Sequence, residues 1–370
     1  MKVIDSSEGI WIPWMRRALQ LASLSDGETS PNPLVGAVVL NSQGLLIGEG
    51  FHSRAGQPHA EIVALAQAKD DAKGGTLIVT LEPCCHHGRT PPCTEAILKA
   101  GIKKVVVSML DPNPLNKGKG VKELRSKGIN VEVGLCNEKS KEINLGFIYR
   151  FEKKRPYIIA KQAVSEDFKI TNPSSKWISN KKSREDAHYL RAKSCAILVG
   201  SNTVSFDNPK LTVRINNNTN IDSKLLNPVR VVLDTTLSLN INKYNFFKGK
   251  EKKIVFNFLS NNSNKEKNID YIKVKKDKSG LNLKSIMNVL AEKYEINYLM
   301  VEPGKKLFTN LLLKNLLDEI VIYKSPVFIG DSGLSCIDPI KDGFKEDIIN
   351  TDSVKKISND VKIVYKTLEK

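Results

Sequence analysis

A chain of 370 residues that is 41% hydrophobic and 26% charged has room for two domains or more and buries a sizeable core without metal or disulfide staples. No apolar run reaches the ~18 residues that cross a bilayer, the start lacks the pattern of a secretory leader, and six cysteines, two of them adjacent at Cys84 and Cys85, suit a metal or a reducing cytoplasm better than a disulfide scaffold. The net charge of +17 is uneven: Lys and Arg outnumber Asp and Glu by 18 to 15 in residues 1–150 and by 39 to 25 beyond. Most of that excess reads as drift in a half rich in Lys, Asn and Ile, with Asn216–Asn218 and Ser260–Lys267 as polar loops.

Trp11–Leu24 has helical spacing, with Trp14, Ala18, Leu21 and Ala22 on one face. Leu34–Leu40 and Leu45–Phe51 flank Asn41-Ser42-Gln43-Gly44 and predict a hairpin. His59–Lys69 predicts a helix, Thr76–Leu81 a buried strand, and Thr94–Ala100 a helix ended by Gly101. Val105–Met109, Val121–Lys127 and Ile129–Val133 continue as strand, helix and strand, and Glu138–Arg150 reads as one helix. The alternation implies a three-layer α/β domain over residues 1–150. After a charged linker at Glu152–Pro156, residues 151–370 predict a second α/β domain. Its strands are Tyr157–Val164, Ala196–Gly200, Val229–Asp234, Lys253–Phe258, Tyr298–Glu302 and Glu319–Ile322. Its helices fall near Lys181–Ala192, Leu283–Tyr294 and Leu307–Leu317. No internal repeat and no GxGxxG fingerprint is present.

The chemistry concentrates in His59-Ala60-Glu61 and Glu82-Pro83-Cys84. This H-x-E … P-C pattern marks zinc deaminases of amino-substituted rings. One imidazole and two thiolates hold a tetrahedral zinc with a fourth position open to water, whose pKa the metal lowers. Glu61, two residues from a ligand, reaches that water without ligating and carries its proton. Alone, HAE reads as surface or cap chemistry and Pro-Cys as a buried thiol; together, between these strands and helices, they read as a site. The second thiolate is not at the usual spacing. In Cys84-Cys85-His86-His87-Gly88-Arg89-Thr90-Pro91-Pro92-Cys93, either His87 or Cys93 completes the set, and adjacent Cys85 diverges from Cys84.

Pro31–Val39, Gly56–Glu61, Thr80–Cys93 and Asp111–Pro114 resemble the bifunctional deaminase/reductases of bacterial riboflavin biosynthesis; the long CHHGRTPPC loop separates them from tRNA and cytidine deaminases. The resemblance implies a cytidine-deaminase-like three-layer domain followed by a dihydrofolate-reductase-like α/β domain. It implies one zinc per chain on His59, Cys84 and Cys93, with Glu61 as proton carrier. Asn32 is implied to hydrogen-bond the pyrimidine, with His86, Arg89 and Thr90 near the substrate or its phosphate.

The second half resembles the NADPH-dependent reductase domain of the same family. The residues give their own hint: strand Tyr298–Glu302 runs through Pro303-Gly304-Lys305-Lys306 into a helix, a start suited to a phosphate, and the turn Gly200–Val204 after Ala196–Val199 suits the same ligand. By resemblance, Ala163, Trp177, Thr203, Asp207, Thr235 and the segment Gly304, Lys305, Lys306, Leu307, Phe308, Thr309, Asn310 contact NADPH. Ser175, Arg191, Leu211, Arg214 and Glu302 contact substrate, the two arginines suiting a phosphate. Two departures stand out. Phe168 replaces the family's usual glycine, where a positive φ is hard for a side chain. Pro303 removes a backbone donor.

The expectation is a cytoplasmic, homo-oligomeric enzyme. It deaminates 2,5-diamino-6-(5-phosphoribosylamino)pyrimidin-4-one with zinc, then reduces the ribosyl group with NADPH. An active deaminase with a silent reductase is the alternative. An RNA-editing protein is the distant one; single-strand binders need aromatic platforms among basic residues, and with 6% aromatics no such cluster occurs. Neither a nucleic-acid nor a membrane partner is expected.

Overall fold

A computed structural model describes residues 8–87, 91–215, 227–278, 280–339 and 349–367. Arg89, Thr90 and Asn216–Asn218 lie outside them. The chain divides into two compact units, Met1–Lys153 and Lys154–Lys370. No described helix is long and apolar enough to cross a membrane.

The N-terminal unit opens with α1 (Glu8–Ala22) and the antiparallel pair β1 (Gly36–Leu40) and β2 (Leu46–Phe51). There follow α2 (Ala60–Ala68), β3 (Thr76–Leu81), α3 (Cys93–Lys99), β4 (Lys104–Met109), α4 (Lys119–Ser126) and β5 (Asn130–Val133). The sheet order is β2-β1-β3-β4-β5, with β3, β4 and β5 parallel. Its central strands are covered on both faces, so they read as unbroken apolar runs rather than alternating ones. Val38, Leu40, Ile78 and Val106 pack with Met15, Ala18 and Leu21 of α1. Val39, Val79 and Val107 pack with Ala64, Ile97 and Leu124 of α2, α3 and α4. Gly48 and Gly50 bring α2 against β2: a Cβ there would stand 2.2 Å from the Ala64 carbonyl and 2.4 Å from that of Ala60.

The helix expected over Glu138–Arg150 is two helices, α5 (Asn137–Ile143) and α6 (Leu145–Glu152). The break is Asn144, with φ −119°. Its side chain accepts the Leu34 N–H at 2.8 Å and donates to the Leu34 carbonyl at 3.0 Å. A hydrogen-bonding demand 110 residues away thus overrides helical continuity and pins the loop that carries Asn32.

The C-terminal unit runs β6 (Tyr157–Val164), α7 (Lys181–Ala192), β7 (Ala196–Gly200), α8 (Ser201–Asp207), β8 (Val229–Leu233), β9 (Lys253–Asn257), β10 (Asn262–Asn264), β11 (Ile269–Lys273), β12 (Lys276–Asp277), β13 (Gly280–Leu281), α9 (Leu283–Glu292), β14 (Tyr298–Val301), α10 (Lys305–Leu313), β15 (Glu319–Lys324), β16 (Ile349–Ile357) and β17 (Asp360–Thr367). Ten strands form one sheet in the order β10-β11-β9-β8-β7-β14-β6-β15-β17-β16, parallel from β11 to β15. β14 enters between β7 and β6, so the chain reverses direction there. In open α/β sheets, ligands bind in the crevice that such a reversal leaves beyond the strands' C-terminal ends. Ile286, Leu290 and Phe308 cover one face; Val204, Leu211 and Phe246 cover part of the other.

Three features depart from the sequence reading. The turn after β7 continues as the helix α8, the polar stretch from Ser260 contains β10, and the hairpin β16–β17 extends the sheet. β10 and β16 hold their places by main-chain pairing at the sheet edges. β16 is exposed at all but its end residues, so it carries no hydrophobic signature.

Candidate active sites

In the N-terminal unit, His59 is the N-cap of α2, with φ −71° and ψ 159°, which turns its ring off the helix start. Cys84 follows β3 and Cys93 opens α3. His59 Nδ1 lies 3.2 Å from Cys93 Sγ and 3.5 Å from Cys84 Sγ. All three ligand atoms fall within 4.8 Å of one another. The Cys93 N–H, at the start of α3, donates to Cys84 Sγ at 3.3 Å; helix-start donors of this kind stabilise a thiolate. Hydrogen bonding from Cys93 first, then from His59 against burial, brings the Cys84 thiol down to about 4. Its partner Cys93 is pushed up by the same bond and by burial. One imidazole and two sulfurs, one of them readily ionised, fit the donor set of a catalytic zinc site with an open fourth position. His87 is not in the cluster: its exposed ring stands 3.9 Å from Glu95. Nor is Cys85, whose N–H donates to Asn116 Oδ1 at 3.0 Å.

Glu61 is 3% exposed, in the first turn of α2 and within hydrogen-bonding reach of the Cys93 thiol. Burial raises its pKa, the direction a proton carrier near neutral pH needs. Two further layers were not read from the sequence. His52 Nδ1 faces the Pro58 carbonyl at 3.1 Å, and its Nε2 faces Asn32 Nδ2 at 2.9 Å. A carbonyl only accepts, so Nδ1 carries the proton; burial lowers the imidazole's pKa and leaves Nε2 as acceptor. The Asn32 amide therefore gives its NH₂ to His52 and keeps its carbonyl oxygen for another donor. Behind Cys84, Glu82 accepts the N–H groups of Asp111, Gly118 and Val121 at 3.1, 2.9 and 3.0 Å. Asn116 ties Asp111 to the same loop at 3.2 Å. His86 is exposed.

In the C-terminal unit, Glu302 follows β14 and accepts from Arg191 Nη2 at 2.8 Å and pairs with Lys161 Nζ at 3.3 Å. Against burial, Lys161 and Arg191 hold the Glu302 carboxyl at about 2. Arg191, expected on a phosphate, is 8% exposed and spends Nη1 on the Thr212 carbonyl at 2.8 Å. Arg214 is exposed, with Nη1 on Thr212 Oγ1 at 3.2 Å. Leu211 lies in the core at φ +52°. Ser175 Oγ donates to the Trp177 carbonyl at 3.1 Å. Trp177 itself is 53% exposed under the Arg184 guanidinium, so it is no core residue. Lys161 and His188, one turn before Arg191, are charged or titratable groups of this cluster that the sequence reading passed over; a lysine inside the buried run Tyr157–Val164 was the available signal.

Gly304 is the N-cap of α10 with no side-chain cap, and a Cβ on it would meet nothing within 4 Å. The same holds for Gly200 before α8, which carries Thr203 and the exposed Asp207. Open space at strand ends, with an uncapped helix start, fits a nucleotide phosphate. Pro303, which lacks a donor, gives its carbonyl to Gln162 Nε2 at 3.2 Å. Along α10, Lys305 pairs with Asp338 at 3.0 Å, Lys306 is exposed, and Leu307 and Phe308 turn to the core. Thr309 Oγ1 bridges the Lys305 carbonyl and the Asp338 N–H, each at 2.9 Å, and Asn310 is half-buried. Ala163 sits near the end of β6 and Thr235 just past β8, both half-buried. A cavity of about 570 Å³, lined by Asp234, Leu237, Phe247 and Tyr271 among others, takes in none of the expected residues.

Comparisons with known proteins match this geometry. The cytidine and deoxycytidylate deaminase zinc-binding region matches residues 12–109, and the RibD C-terminal domain matches residues 156–363. The riboflavin biosynthesis protein RibD of Aquifex aeolicus is 43% identical over 359 residues, covering 95% of this chain and 97% of that protein. A solved structure of Acinetobacter baumannii RibD superposes with a TM-score of 0.88 at 34% identity, covering 98% of this chain and all of that one. A Thermotoga maritima structure described as a diaminohydroxyphosphoribosylaminopyrimidine deaminase/5-amino-6-(5-phosphoribosylamino)uracil reductase superposes at 0.84 with 35% identity and the same coverage.

Proposed function

This chain belongs to the RibD family, bifunctional enzymes of riboflavin biosynthesis with a zinc-binding deaminase domain and an NADPH-using reductase domain, and from that membership we propose how its own residues divide the work. Residues 1–150 form the deaminase and residues 151–370 the reductase; the two family matches, at 12–109 and 156–363, support that boundary. The substrates are those in the description of the Thermotoga relative: the phosphoribosylated diaminopyrimidine for the first half, and the deaminated uracil for the second.

In the deaminase, His59, Cys84 and Cys93 would hold the zinc, which would supply a water of lowered pKa. Glu61 takes the proton of the attacking water and delivers it to the leaving ammonia. Asn32, its amide turned by His52, offers a carbonyl oxygen to a ring N–H. In the reductase, Gly304 and the first turn of α10 receive a phosphate of NADPH, which supplies the reducing equivalent. Thr203, Asp207, Thr235, Ala163 and the exposed face of Trp177 line its path. Glu302, ionised between Lys161 and Arg191, orients the ribosyl end, and exposed Arg214 takes the substrate phosphate with Ser175. Arg191 acts through Glu302 and the Thr212 carbonyl.

The observation that carries the reading is the His59–Cys84–Cys93 cluster with a buried carboxyl beside it. Glu61→Gln keeps the metal and loses deamination by on the order of 10²–10⁴-fold; full deamination by that variant would overturn the assignment. We also read the enzyme as cytoplasmic, because its thiolate ligands need a reducing compartment. We read it as homo-oligomeric because β16 presents a long exposed strand at the sheet edge, of the kind a partner covers.

A further inference from the structure

The segment Thr212–Arg214 belongs to no strand or helix, yet it carries the arginine assigned above to the substrate phosphate. Side chains hold it rung by rung. Arg191 donates to the Thr212 carbonyl at 2.8 Å, the Val213 N–H donates to Asn227 Oδ1 at 2.7 Å, and the Arg214 N–H donates to His188 Nδ1 at 3.1 Å. His188 and Arg191 lie three residues apart on one face of α7, so a single helix face grips both ends of the segment. We propose that His188 is a positioning residue for the reductase, setting the place of Arg214 by accepting its backbone N–H, an inference that rests on Arg214 as the phosphate ligand.

Only an unprotonated ring nitrogen accepts a hydrogen bond. The surroundings keep it so: burial first, then the cations Arg191 on the same helix and Arg214 on the loop, with Lys161 of β6, outweigh Glu302 and bring His188 down to about 4. Across the neutral range the imidazole is therefore a fixed acceptor and not a charge on the phosphate. Without it, the Arg214 N–H loses its partner and the guanidinium loses its fixed origin, which affects binding of the phosphate rather than reduction at the ribosyl carbon.

The test uses the full chain and three variants, His188→Leu, His188→Asn and Arg214→Ala. Asparagine Oδ1 stands as many bonds from the backbone as histidine Nδ1, so it restores the acceptor; leucine fills the volume and offers none. Each variant is assayed for reduction of the phosphorylated uracil substrate and of its dephosphorylated form, the second of which also controls for folding of the reductase unit, with deamination as the control for the rest of the chain. His188→Leu should raise KM for the phosphorylated substrate about tenfold, the effect of one hydrogen bond. It should leave kcat, KM for the dephosphorylated form and deamination near wild type, and His188→Asn should return KM to within about threefold. An unchanged KM in His188→Leu, a kcat loss without a KM rise, or an asparagine variant as poor as the leucine one would overturn the proposal. Arg214→Ala separates the premise: if it leaves the preference for phosphorylated substrate intact, the phosphate reading of Arg214 fails, whatever His188 does.

Discussion

Phe168 occupies φ +58°, the left-handed region that favours glycine, although a phenylalanine resists it. The loop leaves it no choice. Ser165 accepts the Lys169 N–H through Oγ at 2.8 Å, the Phe168 N–H returns to the Ser165 carbonyl at 3.1 Å, and the Phe168 carbonyl takes the Cys336 N–H at 2.9 Å. Asp167 pins the same turn to the Ile329 and Gly330 N–H groups at 3.1 and 2.8 Å. The ring stays half exposed beneath the Lys324 ammonium, so little packing is lost with it. Phe168→Gly should therefore stabilise the C-terminal unit by up to about 1 kcal/mol, and Phe168→Val should weaken it by about as much, since β-branching suits this region least. Denaturant midpoints decide; a glycine variant clearly less stable than wild type would show that the ring, not the backbone, matters here. At the zinc site, Cys93→Ser should lose most of the metal while His87→Ala keeps about one zinc per chain, measured by metal analysis on purified protein; retained zinc in the serine variant would move the third ligand elsewhere. The zinc residues were legible because type and spacing coincide within 35 positions. Lys161, His188 and His52 were not, because each takes its meaning from a partner that folding brings near: Lys161 meets Glu302 across 141 positions, and a lysine inside a buried run marks its own end without naming its partner.

Strands such as β3, β6 and β7 were readable to their end residues because they are buried along almost their whole length and mostly apolar. The C-terminal hairpin was invisible because β16 is exposed at all but its end residues. Its function is mechanical. Asp360, 1% exposed, accepts the Asn180 N–H at 2.8 Å and the Ser183 hydroxyl at 2.7 Å, and Asn180 Nδ2 donates to the Ile357 carbonyl at 2.8 Å. The hairpin turn thus clamps the N-terminus of α7, the helix that presents His188 and Arg191. Asp360→Ala strands buried donors and should cost about 2–3 kcal/mol in the C-terminal unit. Reductase activity should fail at a lower denaturant concentration while deamination holds; identical inactivation curves for variant and wild type would remove the clamp from the account. The break at Asn144 teaches the same lesson: periodicity predicts one helix, and a pair of hydrogen bonds to Leu34 decides for two.

Two compact units with separate chemistries should give a bifunctional chain whose activities fail independently. Metal and nucleotide supply distinct chemistry, so removing one should leave the other half intact. Of the net charge, +14 lies beyond residue 150, and by the family resemblance Phe168 and Pro303 are the two departures expected to weaken the reductase. Yet Glu302, Arg191 and Lys161 remain locked together, and Gly304 still caps α10, which argues for a working reductase. The most direct measurement follows product mass when purified zinc-loaded protein meets the phosphorylated diaminopyrimidine, with and without NADPH. Without NADPH the product should exchange one amine for oxygen and stop there. With NADPH it should go on to gain two hydrogens. Stripping the zinc should abolish the first change and leave reduction of added deaminated substrate untouched. Deamination that survives complete zinc removal, or NADPH left unoxidised while deamination proceeds, would contradict the account.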